Sequence, residues 1–110
     1  MNITESTQND ISIFRPQGRV DGQGAIDLEL TLQAAFEEGA SRMILDLSQV
    51  TYINSAGLRI IAAILTLNQG SGGDLLLASP SQRIRRVFQI IGFDNFFRLF
   101  DSVETAVEAF

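Results

Sequence analysis

Two short apolar runs set among stretches of helical period constrain this chain more than any other feature. Met43-Ile44-Leu45-Asp46-Leu47 and Leu75-Leu76-Leu77-Ala78 are nearly unbroken, without the polar alternation of a half-exposed strand. Strands of that kind have both faces out of water, which calls for helices packed above and below a parallel sheet. The sequence between them agrees. From Ala25 to Glu38, Leu28, Leu32, Ala35 and Phe36 recur at helical spacing until Gly39 stops the pattern. Ala56 to Leu67 reads as a second helix, with Asn68 to Gly73 as its glycine-rich exit loop. After Ser79-Pro80, the residues Ile84, Val87, Phe88 and Ile91 mark a third, ended by Gly92.

The two ends of the chain complete the pattern. Ile3 opens a weak extended stretch, Gln8-Asn9-Asp10 supplies turn residues, and Ile11-Ser12-Ile13-Phe14 is expected to pair back on it. Phe96-Phe97-Arg98-Leu99-Phe100 is expected to be the last strand. Asp101 is placed to cap a final helix with Glu104 three residues on, its apolar face made of Val103, Ala106, Val107 and Phe110. Helix crossovers force neighbouring strands to run parallel, so the fold class is α/β: a mixed β-sheet with parallel core strands packed by about four helices. A chain of 110 residues without a linker or internal repeat is read as one domain, 1–110.

Composition narrows the chemistry. The net charge is −5, from eight basic and thirteen acidic residues, which argues against a nucleic-acid partner that must be met with a basic surface. The basic residues are all Arg, and there is no His and no Cys. The usual general base near neutral pH is therefore missing, and so are a thiolate nucleophile and the ligands of a Cys/His zinc site. No pair of carboxylates stands out as acid and base, so neither an active site nor a cofactor is expected. No apolar stretch approaches membrane-spanning length and no leader-like segment opens the chain, so the expectation is a cytoplasmic protein without membrane insertion.

The segment from Ile44 to Leu58 carries the most information: a buried strand, then Val50-Thr51-Tyr52-Ile53, then a helix entry at Asn54-Ser55-Ala56-Gly57-Leu58. On local physics, Asn54 or Ser55 caps the helix, and the helix N-terminus would also accept a phosphate. Asn54-Ser55-Ala56-Gly57-Leu58 resembles the Asp-Ser-Ser/Thr/Ala-Gly-Leu signature of STAS domains, specifically the anti-sigma factor antagonists. Gly18-Arg19-Val20-Asp21 is similar to that family's Gly-x-Leu/Val-Asp, and the likeness extends through Ser79-Pro80-Ser81 to Gly92-Phe93. The resemblance implies a STAS-type fold and a phosphorylation site at Ser55. It implies as partners a serine protein kinase of the histidine-kinase-like ATPase class, which doubles as the anti-sigma factor, and an opposing serine phosphatase. The partner surface would comprise Asp21, Gly22, Gln23, Asn54, Ser55, Ala56, Gly57, Leu58 and Arg59. One departure stands out: the family's usual Asp before the serine is Asn54 here, nearly isosteric but uncharged.

Other features have more than one use. The helix after Ser55 has two apolar stripes, Leu58-Ile61-Ala62-Leu65 and Ile60-Ala63-Ile64-Leu67; one faces the sheet, and the other is either covered or partly open for docking. Arg59 can meet a partner carboxylate or a phosphate. The turn Asp21-Gly22-Gln23-Gly24 lacks the third glycine of a dinucleotide fingerprint and the Gly-Lys-Ser/Thr of a P-loop, so it is a contact loop before it is a nucleotide site. Arg83, Arg85 and Arg86 form a basic cluster, either a solvated helix face or a match for an acidic partner. The alternatives to an antagonist are a non-phosphorylated STAS scaffold or transport-accessory subunit, and a small-molecule or nucleotide sensor using the glycine turn.

Overall fold

The computed structural model describes residues 1–110. β1 (Asn2–Gln8) and β2 (Ile11–Val20) form an antiparallel hairpin. Its turn residues Asn9 and Asp10 both have positive φ, 54° and 63°. That geometry matches the right-handed twist of the strands, and Asn and Asp tolerate it better than other residues with a Cβ.

β2 runs well past Phe14 because it changes neighbour on the way. Its Ser12–Phe14 stretch pairs in parallel with β3 (Arg42–Asp46), and its Gly18–Val20 stretch with β4 (Val50–Ile53). Pro16, with no N–H to give a ladder, lies between the two pairings. β3 and β4 are thus successive pieces along the same edge of β2, broken at Leu47-Ser48-Gln49. At the break, Gly18 N–H donates to the Gln49 carbonyl at 2.9 Å. The buried Asp46 carboxylate accepts from Ser48 N–H at 2.9 Å and from Arg15 Nε at 2.7 Å.

β5 (Asp74–Ala78) and β6 (Leu99–Phe100) continue the parallel sheet, giving the order β1-β2-β3-β5-β6. Side chains alternate across it. Met43, Leu45, Leu75 and Leu77 meet α1 (Gly22–Glu37), α2 (Ser55–Gly70) and α3 (Gln82–Ile91) on one face. Ile44, Leu76 and Ala78 meet α4 (Val103–Glu108) on the other. Both faces being dry is why the central strands read as unbroken apolar runs. No helix is long and apolar enough to cross a membrane.

Three local expectations are corrected. α1 begins at Gly22, so the glycine turn is the helix's first turn rather than a loop. Of Phe96–Phe100 only Leu99 and Phe100 are strand: Phe93–Asn95 forms a 3₁₀ turn, and Phe97 is buried edge-on against Phe88, centroids 5.4 Å apart. Tertiary packing overrides the strand preference of the phenylalanines there. The last helix is capped by Ser102 in a reciprocal box with Thr105, while Asp101 instead accepts from Arg85 at 2.9 Å.

Candidate functional site

β2 and β4 run parallel with Val20 opposite Ile53, so the next residues, Asp21 and Asn54, emerge side by side as the N-caps of α1 and α2. Two helix N-termini therefore open at one end of the sheet, each with partial positive charge. Their caps differ. Asn54 Oδ1 accepts from Gly57 N–H at 3.0 Å. The Asp21 carboxylate makes no cap bond and accepts from both Nε (3.1 Å) and Nη2 (2.9 Å) of Arg19. The Arg19 guanidinium in turn lies 4.2 Å over the ring of Tyr52, its partner across the β2–β4 pairing.

Because Asn54 does the capping, Ser55 does not. It occupies the first helical position, exposed, and its hydroxyl makes no hydrogen bond within the chain. Beside it, Gln23 is tethered by a 2.9 Å bond from its Nε2 to Asp27 Oδ1. The Met1 ammonium donates to the other Asp27 oxygen at 2.6 Å; this bond first, and the Gln23 bond second, hold the Asp27 carboxyl below its usual range. A lowered carboxylate pKa stabilises the fold at neutral pH, and that contribution is lost as pH falls through the folded-state value.

The structure brings Asp21, Gly22, Gln23, Asn54, Ser55, Ala56 and Arg59 to this end of the molecule as surface or half-buried residues, and Arg59 forms no ion pair. Gly57 and Leu58 are a correction to the expected contact surface. Leu58 is 1% exposed in the core, and Gly57 is buried where α2 touches β2, a Cβ there falling 2.6 Å from the Val20 carbonyl oxygen. They set the position of Ser55 and present no surface of their own. Arg19 and Tyr52 join the site without any signal in the sequence, since only the β2–β4 register brings them together.

Gly24 has a packing explanation: a Cβ there would lie 2.3 Å from the Arg19 carbonyl oxygen, so the glycine lets α1 approach β2. The two surface hollows of the molecule lie elsewhere, one along α3 and one at the opposite end of the sheet. On α2, the second stripe is divided: Ile64 is buried, Ile60 half-buried, and Ala63 and Leu67 exposed.

The Asn54 cap yields a prediction. Asn54→Ala is expected to destabilise the protein by about 1 kcal/mol, while Asn54→Asp, which keeps the acceptor and adds charge at a helix N-terminus, should match the parent or exceed it by about 0.5 kcal/mol. Urea midpoints measure both, and an unchanged midpoint for Asn54→Ala would show that the cap contributes nothing.

A model of the STAS domain matches residues 2–106. The chain belongs to the STAS domain family. This STAS protein is 34% identical over 110 residues to BtrV of Bordetella bronchiseptica, a protein named as an anti-sigma factor antagonist, the match covering 100% of this chain and 95% of that one. The crystal structure of an anti-sigma factor antagonist from Mycobacterium paratuberculosis superposes with a TM-score of 0.88 at 24% identity, covering 98% and 92% of the two chains. The phosphorylated form of the Bacillus cell fate determinant SpoIIAA gives 0.76 at 18% identity, covering 98% of each. The mixed sheet with parallel core strands and four helices is thus the STAS fold, as the sequence led one to expect.

Proposed function

We propose that this protein is an anti-sigma factor antagonist that binds a serine kinase acting as anti-sigma factor, of the histidine-kinase-like ATPase class, and is released by phosphorylation at Ser55. The observation that carries this reading is the free hydroxyl of Ser55: exposed, unbonded, and relieved of capping by Asn54. The whole-length similarity to a protein named as an anti-sigma factor antagonist supports it.

Transfer of the γ-phosphoryl group of ATP to Ser55 Oγ, with loss of the hydroxyl proton and release of ADP, adds about −1.5 to −2 charges at neutral pH. The N-termini of α1 and α2 tolerate an anion there, so the fold stays as it is while the surface changes. A partner seated over Asp21, Gly22, Gln23, Asn54, Ser55, Ala56 and Arg59 would then have to bury a dianion beside Asp21. Repulsion and desolvation together are expected to weaken binding about 100-fold or more. An opposing serine phosphatase resets the switch. This is a role of binding, without catalysis by the chain itself.

Affinity capture with wild-type, Ser55→Ala and Ser55→Asp baits tests the reading. It stands if a kinase of that ATPase class is held by the first two and lost from the third. If all three baits return the same proteins, Ser55 is not a switch. That outcome favours the STAS scaffold or transport-accessory reading, to which the uncharged Asn54 in place of the family's Asp already points.

A further inference from the structure

At the end of the sheet opposite Ser55, three neighbouring strands present charged residues to one hollow. Arg42 begins β3 and Asp74 begins β5, directly opposite one another in the pairing. Arg98 immediately precedes β6; its carbonyl accepts from Leu77 N–H at 3.0 Å, and the register places it beside Leu76. Alternation along the strands puts Arg42, Asp74 and Arg98 on the same face as Ile44 and Leu76, the face that α4 covers. The hollow between them measures about 460 Å³, with Gly72 and Gly73 as one wall and Ala109 and Phe110 as another.

The glycine wall is fixed. Gly72 has φ +87°, and a Cβ on Gly73 would lie 2.1 Å from the Ser41 carbonyl oxygen, so the loop closes onto β3 only without side chains. Its N–H groups are committed: Gly72 to Gln69, Gly73 to Asn68 and Asp74 to Ser41. The guanidinium groups keep their hydrogen-bond donors: Arg42 forms no ion pair, and Arg98, stacked 5.3 Å from the Phe100 ring centroid, meets Asp74 only in a long 3.8 Å ion pair beyond hydrogen-bonding distance. Asp74 Oδ1 accepts from Leu75 N–H, its own strand's backbone. In a chain of net charge −5, a volume in the ligand range lined by two arginines whose planar donor forks make no hydrogen bond within the chain favours an oxyanion, which would compete with Asp74 for Arg98.

We propose that this hollow is a binding site for a small phosphate ester, its phosphate held between Arg42 and Arg98 and a neighbouring hydroxyl donating to Asp74. The site is remote from the Ser55 surface and independent of the function proposed for it. The sensing role considered from sequence at the Asp21–Gly24 turn thereby moves to the other end of the sheet.

Amide-resolved NMR titration of the isotope-labelled chain with inorganic phosphate, glycerol phosphate and AMP tests this. Saturable shifts confined to Ser41, Arg42, Gly72, Gly73 and Arg98 are expected, with the esters binding more tightly than phosphate. Arg42→Ala and Arg98→Ala should each weaken binding about tenfold or more. Asp74→Asn should reduce the preference for ester over phosphate, and Ser55→Asp should bind as wild type does. Both arginines are exposed or partly so, and retained spectral dispersion in the variants verifies folding. Shifts that fail to saturate by about 10 mM, or that persist unchanged in the Arg42→Ala/Arg98→Ala double variant, would overturn the proposal.

Discussion

Replacing Gly57 with alanine is expected to destabilise the protein by about 3 kcal/mol. At most helical positions the same change is favourable by about 1 kcal/mol, because alanine orders the helix with less loss of backbone entropy. Here the added methyl would sit 2.6 Å from the Val20 carbonyl oxygen, 2.9 Å from Val20 Cγ1 and 3.0 Å from Ile53 Cγ1. The oxygen belongs to β2, held there by its pairing with β4 and by Asn54 N–H, which donates to it at 3.4 Å, so α2 must shift off the sheet and carry Ser55 with it. Gly70, at the other end of α2, has open space where a Cβ would go, with no neighbouring atom within 4 Å, and serves as the control: Gly70→Ala should be neutral or slightly stabilising. Equal unfolding midpoints for the two variants would refute the close-contact argument.

The second large effect is expected at Phe88. Its ring is fully buried, and Phe97, 3% exposed, stands against it at 86°. Phe97 is also the edge-on neighbour of Phe93 (5.8 Å) and Phe96 (5.1 Å), so Phe88 anchors the whole segment between α3 and β6. Phe88→Ala removes a fully buried ring from the main core cluster, and should lower stability by about 3–5 kcal/mol, a large part of the total for a domain of this size. Phe88→Leu, which fills most of the space, should lose less than half as much. Guanidinium unfolding of the two variants decides the matter: a loss below about 1 kcal/mol for Phe88→Ala would mean that the segment repacks and that the aromatic cluster is not an anchor.

What could be read in advance follows from where water is excluded. β3 and β5 were legible because both faces of each are dry, and α1, α2 and α3 because each has a continuous buried stripe. β4 was not, since Thr51 and Tyr52 are exposed and leave only Val50 and Ile53 to mark it. The second half of β2 was hidden by Pro16 and Gly18, residues that elsewhere end strands but here fall where the strand exchanges one neighbour for another. Asp101 and Ser102 are both reasonable caps in sequence; the reciprocal Ser102–Thr105 bonds and the pairing of Asp101 with Arg85 separate them. At the site, Ser55 and its neighbours were legible as one continuous motif. The Arg19–Tyr52 stack was not, because it depends on a register between strands separated by α1 and β3.

Because Asn54 closes the first turn of α2, the residue at position 55 is structurally dispensable. If Ser55 is the switch proposed above, a descendant that lost the serine would still fold and still present the same surface, yet phosphorylation could no longer dislodge it from its partner. Such a chain would act as a dominant, unregulated titrant, and one codon change would return it to control. Gain and loss of regulation are thus uncoupled from the integrity of the fold.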